Sequence, residues 1–235
     1  MGAEVFRFKQ FEVHQQRSAM KVGTDGVLLG AWVGISADTK RVLDVGTGTG
    51  LLALMVAQRA AEAQIVAVEI EPQAVEQARA NVTSSPWAER VEVVCVDAKE
   101  YDSEQKFDLI ISNPPYFTAS LHSPDAERNL ARHTDTLSLG ALCSLAVRLL
   151  SDSGRLAVVL PADCERSIRM AAIGAGLHPT RLCRVRTSSA KQPKRVLMEF
   201  SRRGDGEQQS ELVMSHKGEP TEEYVELIRD FYLRY

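Results

Sequence analysis

Asn113, Pro114, Pro115 and Tyr116 close the apolar run "FDLIIS" (107–112), and their order suits chemistry on a planar amine. The lone pair of an exocyclic NH2 is delocalised into its ring, so the nitrogen is a poor nucleophile. If the Asn113 side-chain carbonyl and the Pro114 backbone carbonyl each accept one of its N–H bonds, the nitrogen is drawn toward a tetrahedral form and its lone pair is aimed. The two prolines stop the strand, because neither has an N–H to donate, and they hold both carbonyls still. Tyr116 offers a face on which a base can stack. These four are the candidate catalytic residues; a plain turn after a strand is the competing explanation.

An electrophile is expected at the same edge. "LDVGTGTG" (43–50) lies between a strand-like and a helix-like stretch, where glycine turns hold ligands. Its spacing is G-x-G-x-G rather than the dinucleotide G-x-G-x-x-G, which argues against an NAD-dependent dehydrogenase. Asp44 would repel a pyrophosphate and favour a cationic or ammonium-bearing ligand. Glu69 ends the next strand, where an acid reaches a ribose diol, and Asp97 ends the strand after that. Three carboxylates around a glycine turn suit a nucleoside with a positive amino-acid tail and no phosphate. S-adenosylmethionine is such a molecule and is the expected cofactor, with S-adenosylhomocysteine as product and no metal. The predicted donor site comprises Asp44, acting through water or backbone amides; Gly46, Gly48 and Gly50, allowing close approach; Glu69 with Ile70 at the ribose; Asp97 with Ala98 at the adenine; and Asn113. Singly, Glu69 could be a solvated strand end and Asp97 a helix cap. Their order along the chain carries the inference.

Such residues must be set by a doubly wound α/β sheet, and the chain alternates accordingly. "RVLDV" (41–45), "QIVAVEI" (64–70), "RVEVVCV" (90–96), "FDLIIS" (107–112) and "GRLAVVLP" (154–161) read as strands. "LLALMVAQRAA" (51–61), "EPQAVEQARANV" (71–82) and "LGALCSLAVRLL" (139–150) read as helices. "LHPTRLCRVRT" (177–187) and "KRVLMEFSR" (194–202) are two strands too closely linked to be parallel. "RRGDGEQQS" (202–210) resembles a linker or mobile loop. "EPTEEYVELIRDFYL" (219–233) reads as a docked amphipathic helix with a stripe at Tyr224, Leu227, Ile228 and Phe231.

At 235 residues the chain fits one domain with one good core. The expected organisation is an N-terminal arm or lid (1–32), a catalytic core (41–202) and a C-terminal helix (219–235). A net charge of −3 gives no global attraction to nucleic acid, so any such surface must be local. The four cysteines are widely spaced, without metal-ligand pairing, and read as reduced core or near-core thiols. Neither a signal peptide nor a membrane-length apolar run is evident, so a cytoplasmic location without membrane association is expected.

The ordered set of glycine turn, acid after the second strand, Asp after the third and N-P-P-Y after the fourth resembles the class I methyltransferases that modify planar sp² nitrogens. The resemblance implies a Rossmann-like, seven-stranded sheet, mostly parallel with a terminal antiparallel hairpin and helices on both faces. N-P-P-Y alone leaves adenine amines, guanine N2 of rRNA and protein glutamine amides open. "FRFKQFEVHQQRSAMKVGTDGVLLGAW" (6–32) decides among them, because glutamine enzymes usually carry a separate helical domain there. With "LARHTDTLSL" (130–139), "QPKR" (192–195) and "DFYL" (230–233), the segment is similar to the tRNA1(Val) adenine-37 methyltransferase family. That likeness implies methyl transfer to the N6 amine of adenosine 37 in a valine tRNA, with no obligate protein partner. It also implies that Lys21, Gly23, Thr24 and Asp25 form a lid over the donor. The polar "EVHQQRS" is a departure that leaves His14 and Arg17 without a role.

One region is locally basic. Arg181, Arg184, Arg186, Lys191, Lys194 and Arg195 crowd the last hairpin, and Arg7 and Lys9 lie in the arm. Arg7, Lys9, Arg186, Lys191, Lys194 and Arg195 are the expected phosphate contacts, against the plainer alternative of a solvated face. Phe6, Phe8 and Phe11 are expected in the core, and Arg132 and His133 near the base.

Overall fold

The computed structural model describes residues 4–16, 21–115 and 137–234. A short antiparallel hairpin, β1 (Val5–Arg7) and β2 (Glu12–His14), leads to helix α1 (Thr24–Trp32). The core then alternates β3 (Arg41–Val45), α2 (Leu51–Arg59), β4 (Gln64–Glu69), α3 (Pro72–Thr83), β5 (Val91–Cys95) and β6 (Phe107–Ser112). It continues through α4 (Leu139–Leu149), β7 (Leu150–Pro161), α5 (Glu165–Gly174), β8 (His178–Arg186) and β9 (Arg195–Ser201). β10 (Gln208–Val213), the two-residue strands β11 (Ser215–His216) and β12 (Glu219–Pro220), and α6 (Glu222–Ile228) complete the chain.

The main sheet has the order β10-β8-β9-β7-β6-β3-β4-β5. β5, β4, β3, β6 and β7 are parallel, whereas β9 is antiparallel to both β7 and β8. The chain builds outward from β3 to β5 and then returns to the other side of β3 with β6. The carboxyl ends of β3 and β6 therefore flank the switch point at which such sheets bind ligands.

Alternation along the strands divides the core into two layers. Leu109, Ile111, Ala157 and Val159 pack on the side of α1, α2, α3 and α6, and Phe107, Ile110, Leu156, Val158 and Leu160 on the side of α4 and α5. α2 opens directly from the glycine turn and is buried from Leu51 to Ala57. α1 is buried from Gly26 to Ala31, because it packs on β7 and β9 with α2 and α6 beside it. Phe8 stacks on Phe11 at 4.5 Å, Phe11 meets the Trp87 edge at 5.6 Å, and Phe8 also meets Tyr232. Phe8 and Phe11 are thus core, with Phe6 half-buried beside them.

Two expectations change. The sheet has eight strands rather than seven, because part of the linker-like 202–210 stretch enters β10, which pairs parallel to β8 from Gln208↔Arg181 to Val213↔Arg186. An edge strand needs only its backbone to pair, and Leu212 is the one fully buried residue in β10, so no apolar pattern marks it. The terminal helix covers Glu222–Ile228 instead of the whole 219–235 tail. The Thr221 hydroxyl caps it by accepting from the Tyr224 N–H at 3.3 Å, and Phe231 docks beyond its end. The four cysteines are free; Cys143 and Cys183 are buried and Cys95 is exposed.

The end of α1 is bolted to the sheet by Glu199 of β9, which is 2% exposed. Its Oε1 accepts from the Gly34 N–H at 2.8 Å and from Arg181 at 2.9 Å, while the Arg181 guanidinium lies 4.1 Å from the centre of the Trp32 ring. Removing the carboxylate would strand the Gly34 amide and leave two arginines facing one another. Glu199→Ala should cost about 2 kcal/mol in urea unfolding, less than the roughly 3–5 kcal/mol of a wholly buried pair because Arg181 and Arg155 keep access to water. A loss below about 0.5 kcal/mol, the range of ordinary surface changes, would count against the bolt.

Candidate active site

The turn after β3 is built on backbone geometry that side chains resist. Gly46 and Gly50 have φ of 71° and 85°, in the left-handed region. A Cβ on Gly46 would project into open space, and one on Gly50 would lie 3.6 Å from Ala78 of α3. The Gly46 and Thr47 amides both donate to the Val68 carbonyl, at 2.9 and 3.0 Å. Glu69 closes the turn from the other side: Oε2 accepts from the Gly48 N–H at 2.9 Å, and Oε1 accepts from Ile70 and Glu71 at 2.9 and 3.1 Å. A carboxylate held by three amides keeps one acceptor site, on Oε2, for a ribose hydroxyl.

Asp44 lies beneath the turn, with no exposed surface. Its Oδ2 accepts from the Thr47 hydroxyl and the Ala53 N–H, while Oδ1 has no partner among the described residues. Burial pushes its pKa up to about 7, the two hydrogen bonds oppose the rise, and Glu69 adds to it.

A cleft of about 270 Å³ opens at the switch point. Gly46, Gly48, Glu69, Ile70, Asp97, Ala98, Asn113, Pro114 and Pro115 all line it, so the structure gathers most of the predicted donor and catalytic residues. Its walls are mainly apolar, with acids at the strand ends, as suits a flat ring carrying polar edges. Ile70 is 52% exposed, an apolar shelf at the rim. Asp97 is half-buried, and its Oδ1 accepts from the Lys99 N–H at 2.9 Å. The motif reading missed Val45, Val68, Glu71, Ala74, Val96, Ser112 and Leu137, which also line the cleft. Six of these seven neighbour a motif residue or open the next helix, a signal the sequence did contain. Leu137 has no such marker.

Other predicted residues lie elsewhere. Asp44 and Gly50 do not line the cleft: one is buried under the turn, and the other packs α2 against α3. Lys21 is exposed, and Gly23, Thr24 and Asp25 line a separate cleft of about 260 Å³ with Lys194 and Arg195. α1 instead approaches the Asn-Pro-Pro loop through Gly26, where a Cβ would lie 3.9 Å from Asn113 Nδ2. Tyr116, Arg17, Arg132 and His133 fall outside the described residues.

At Asn113 the side-chain carbonyl is buried and has no hydrogen-bond partner among the described residues. Such an acceptor costs about 1–3 kcal/mol in a folded protein unless something else satisfies it. Ser112 fixes the approach to the loop by donating its hydroxyl to the Val45 carbonyl at 2.8 Å.

The basic cluster is largely paired internally. Arg186 donates to Glu211 and to the Lys191 carbonyl, Arg195 to Asp25 at 2.7 Å, Arg7 pairs with Glu12, and Lys9 donates to the Arg229 carbonyl. Lys191 and Lys194 are exposed and have no side-chain partner among the described residues. They line a groove with Pro161, Asp163 and Thr187, at the same sheet edge as Asn113. Among the described residues no three acidic, His or Cys side chains gather as a metal site, and no helix is long and apolar enough to cross a membrane.

An acid-rimmed crevice at the β3/β6 switch point, without dinucleotide glycine spacing, is that of a class I methyltransferase. The chain matches the methyltransferase small domain model over residues 27–173. It is 48% identical to the tRNA1(Val) (adenine(37)-N6)-methyltransferase of Phocaeicola vulgatus, over 97% of each chain. Its identity to the Bacteroides fragilis protein of the same name is 45%, over 100% of each. The chain belongs to the tRNA1(Val) (adenine(37)-N6)-methyltransferase family. Among solved structures, a predicted O-methyltransferase from Agrobacterium tumefaciens shares the fold, with a TM-score of 0.69 at 20% identity, over 88% of this chain and 96% of that one.

The buried Asp44 makes stability depend on pH. Unfolded, it loses its proton near its ordinary value of 3.8; folded, it keeps the proton up to about 7. Between those values the folded state binds more protons, so stability falls as pH rises and levels off above 7. Asp44→Asn keeps an acceptor for Thr47 and Ala53 and removes the titration. Its stability relative to the unsubstituted chain should climb by at most about 1.4 kcal/mol per pH unit over that window, then stay level. A pH-independent difference in urea unfolding would show that Asp44 titrates normally.

Proposed function

We propose that this enzyme transfers a methyl group from S-adenosylmethionine to the N6 amine of adenosine 37 in tRNA1(Val). The observation that carries the mechanism is the buried, unpartnered Asn113 carbonyl at the lip of the cleft. Full-length likeness to relatives named for this reaction supports adenine over guanine N2 of rRNA or a protein glutamine amide. A tRNA substrate fits the cytoplasmic location expected from the sequence.

The cleft suits the donor. Gly46 presents bare backbone to open space, Glu69 and Asp97 offer acceptors for ribose hydroxyls and an adenine amine, and Ile70 and Ala98 give apolar surface for the ring. When bound, S-adenosylmethionine supplies an electrophilic sulfonium methyl. Asn113 Oδ1 and the Pro114 carbonyl accept the two N–H bonds of the target amine and turn its lone pair toward that methyl. Pro114 and Pro115 hold these acceptors fixed, so little reorganisation accompanies the reaction. No side chain needs to remove a proton first, because the amine becomes acidic only as its new bond to carbon forms and then releases the proton to water. Tyr116 is assigned to stacking with the target base. Lys191 and Lys194 are assigned to the flanking phosphates, whereas Arg7, Lys9, Arg186 and Arg195 serve first to hold the fold.

Asn113→Ala should lower kcat on the tRNA by about 10²–10³-fold and leave donor affinity within about threefold. Equal losses in both would make Asn113 a structural residue. The product, digested to nucleosides, should contain N6-methyladenosine; label recovered in rRNA or in glutamine would overturn the substrate. Replacing Lys191 and Lys194 together by Ala should weaken tRNA binding and flatten its log–log salt slope by about 1.4, two contacts at about 0.7 each. An unchanged slope would remove the groove from the RNA path.

A further inference from the structure

The polar "EVHQQ" stretch, left without a role by the motifs, is wired to the donor turn. Asn81, on α3 and 1% exposed, uses its whole carboxamide. Its Oδ1 accepts from the His14 N–H at 2.9 Å, and its Nδ2 donates to the His14 carbonyl at 2.9 Å and to the Thr49 carbonyl at 2.8 Å. Thr49 stands between Gly48 and Gly50, inside the turn. The next residue of the arm, Gln15, is 5% exposed and accepts from the Val22 N–H at 2.7 Å. Val22 leads into α1, which Asp25 ties to Arg195 and whose Gly26 lies against Leu51 and Asn113. At its other end α3 contributes Ala74 to the cleft, preceded by Glu71.

We propose that Asn81 is a positioning residue joining the donor turn and the N-terminal arm in one conformational equilibrium. The proposal rests on the donor reading of the cleft. Filling the cleft fixes the turn, and with it the Thr49 carbonyl. The same carboxamide clamps His14 from both sides, and Gln15 passes the restraint to Val22 and to the helix beside Asn113. By linkage, a ligand that favours the ordered turn favours the ordered arm to the same degree. The side chains at 14 and 15 are then used to place the wall opposite the catalytic loop, and the arm needs no contact with the donor.

The test is amide hydrogen exchange on the full chain, with and without saturating S-adenosylhomocysteine. Asn81→Ala would strand three buried backbone groups and endanger the fold, so the unsubstituted protein and Gln15→Leu are compared. The ligand should slow exchange at Gly46–Gly50 and slow the His14 and Val22 amides by about fivefold or more. In Gln15→Leu the response at His14 should remain and that at Val22 should disappear. Protection at Gly46–Gly50 with none at His14 and Val22 would overturn the coupling, as would an undiminished Val22 response in Gln15→Leu. No protection at Gly46–Gly50 would overturn the donor reading, and the coupling with it.

Discussion

The site depends on a backbone constraint: the chain must turn from β3 into α2 through a left-handed path that ordinary side chains resist. The turn has little internal bonding of its own. It is suspended from Val68 and Glu69 of the adjacent strand, from Asp44 below and from Asn81 behind. Each support uses a backbone group of the turn or of the helix start, so the open face of Gly46 is left to the ligand. The most buried carboxylate of the site therefore acts at a distance. Asp44 shapes the surface that a donor meets, and any influence of its charge passes through Thr47 and the start of α2.

This arrangement explains which parts of the molecule were legible beforehand. Strands buried on both faces are apolar runs, and the glycine turn, the acids at 69 and 97 and the N-P-P loop have fixed places relative to them, so the cleft assembles as the motifs imply. The direction of Asp44 was also written in β3, where Leu43 and Val45 face the α4 layer and Val42 faces the α2 layer. Strict alternation sends Asp44 toward α2, under the turn. β10 left no such trace, because a polar edge strand is defined by a partner, β8, and not by its own pattern. Asn81 was equally silent: one Asn in an amphipathic helix shows nothing of His14 and Thr49, brought to it from 67 and 32 residues away.

The basic hairpin shows how composition can mislead about a surface. Its arginines pair with Glu199 of the hairpin's own second strand and with Glu165, Glu211 and Asp25 of other elements. A guanidinium is weakly hydrated and forms several directed hydrogen bonds at once, so it suits half-buried junctions between a strand and a helix. An ammonium on a flexible stem keeps its water. Lys191 and Lys194 thus remain outward where the nearby arginines turn inward. The cationic reach of this edge is smaller than the sequence count implies, which fits a net charge of −3 and leaves the groove with Lys191 and Lys194 as its exposed cationic part.

The unpartnered Asn113 carbonyl and the absence of an assigned general base are two sides of one design. A base would have to remove a proton from an aromatic amine that is hardly acidic. In the proposed mechanism two fixed acceptors instead stabilise the pyramidal nitrogen that exists only as the bond to carbon forms. Their strength lies in being oriented beforehand, at the end of a strand pinned by Ser112 and stiffened by two prolines. An acceptor satisfied within the protein would have to break a bond before it could serve. An Oδ1 that is buried without a partner among the described residues costs the fold stability, and in the proposed mechanism the substrate amine restores what is lost. A loop that was only punctuation would have no need to bury a carbonyl in this way.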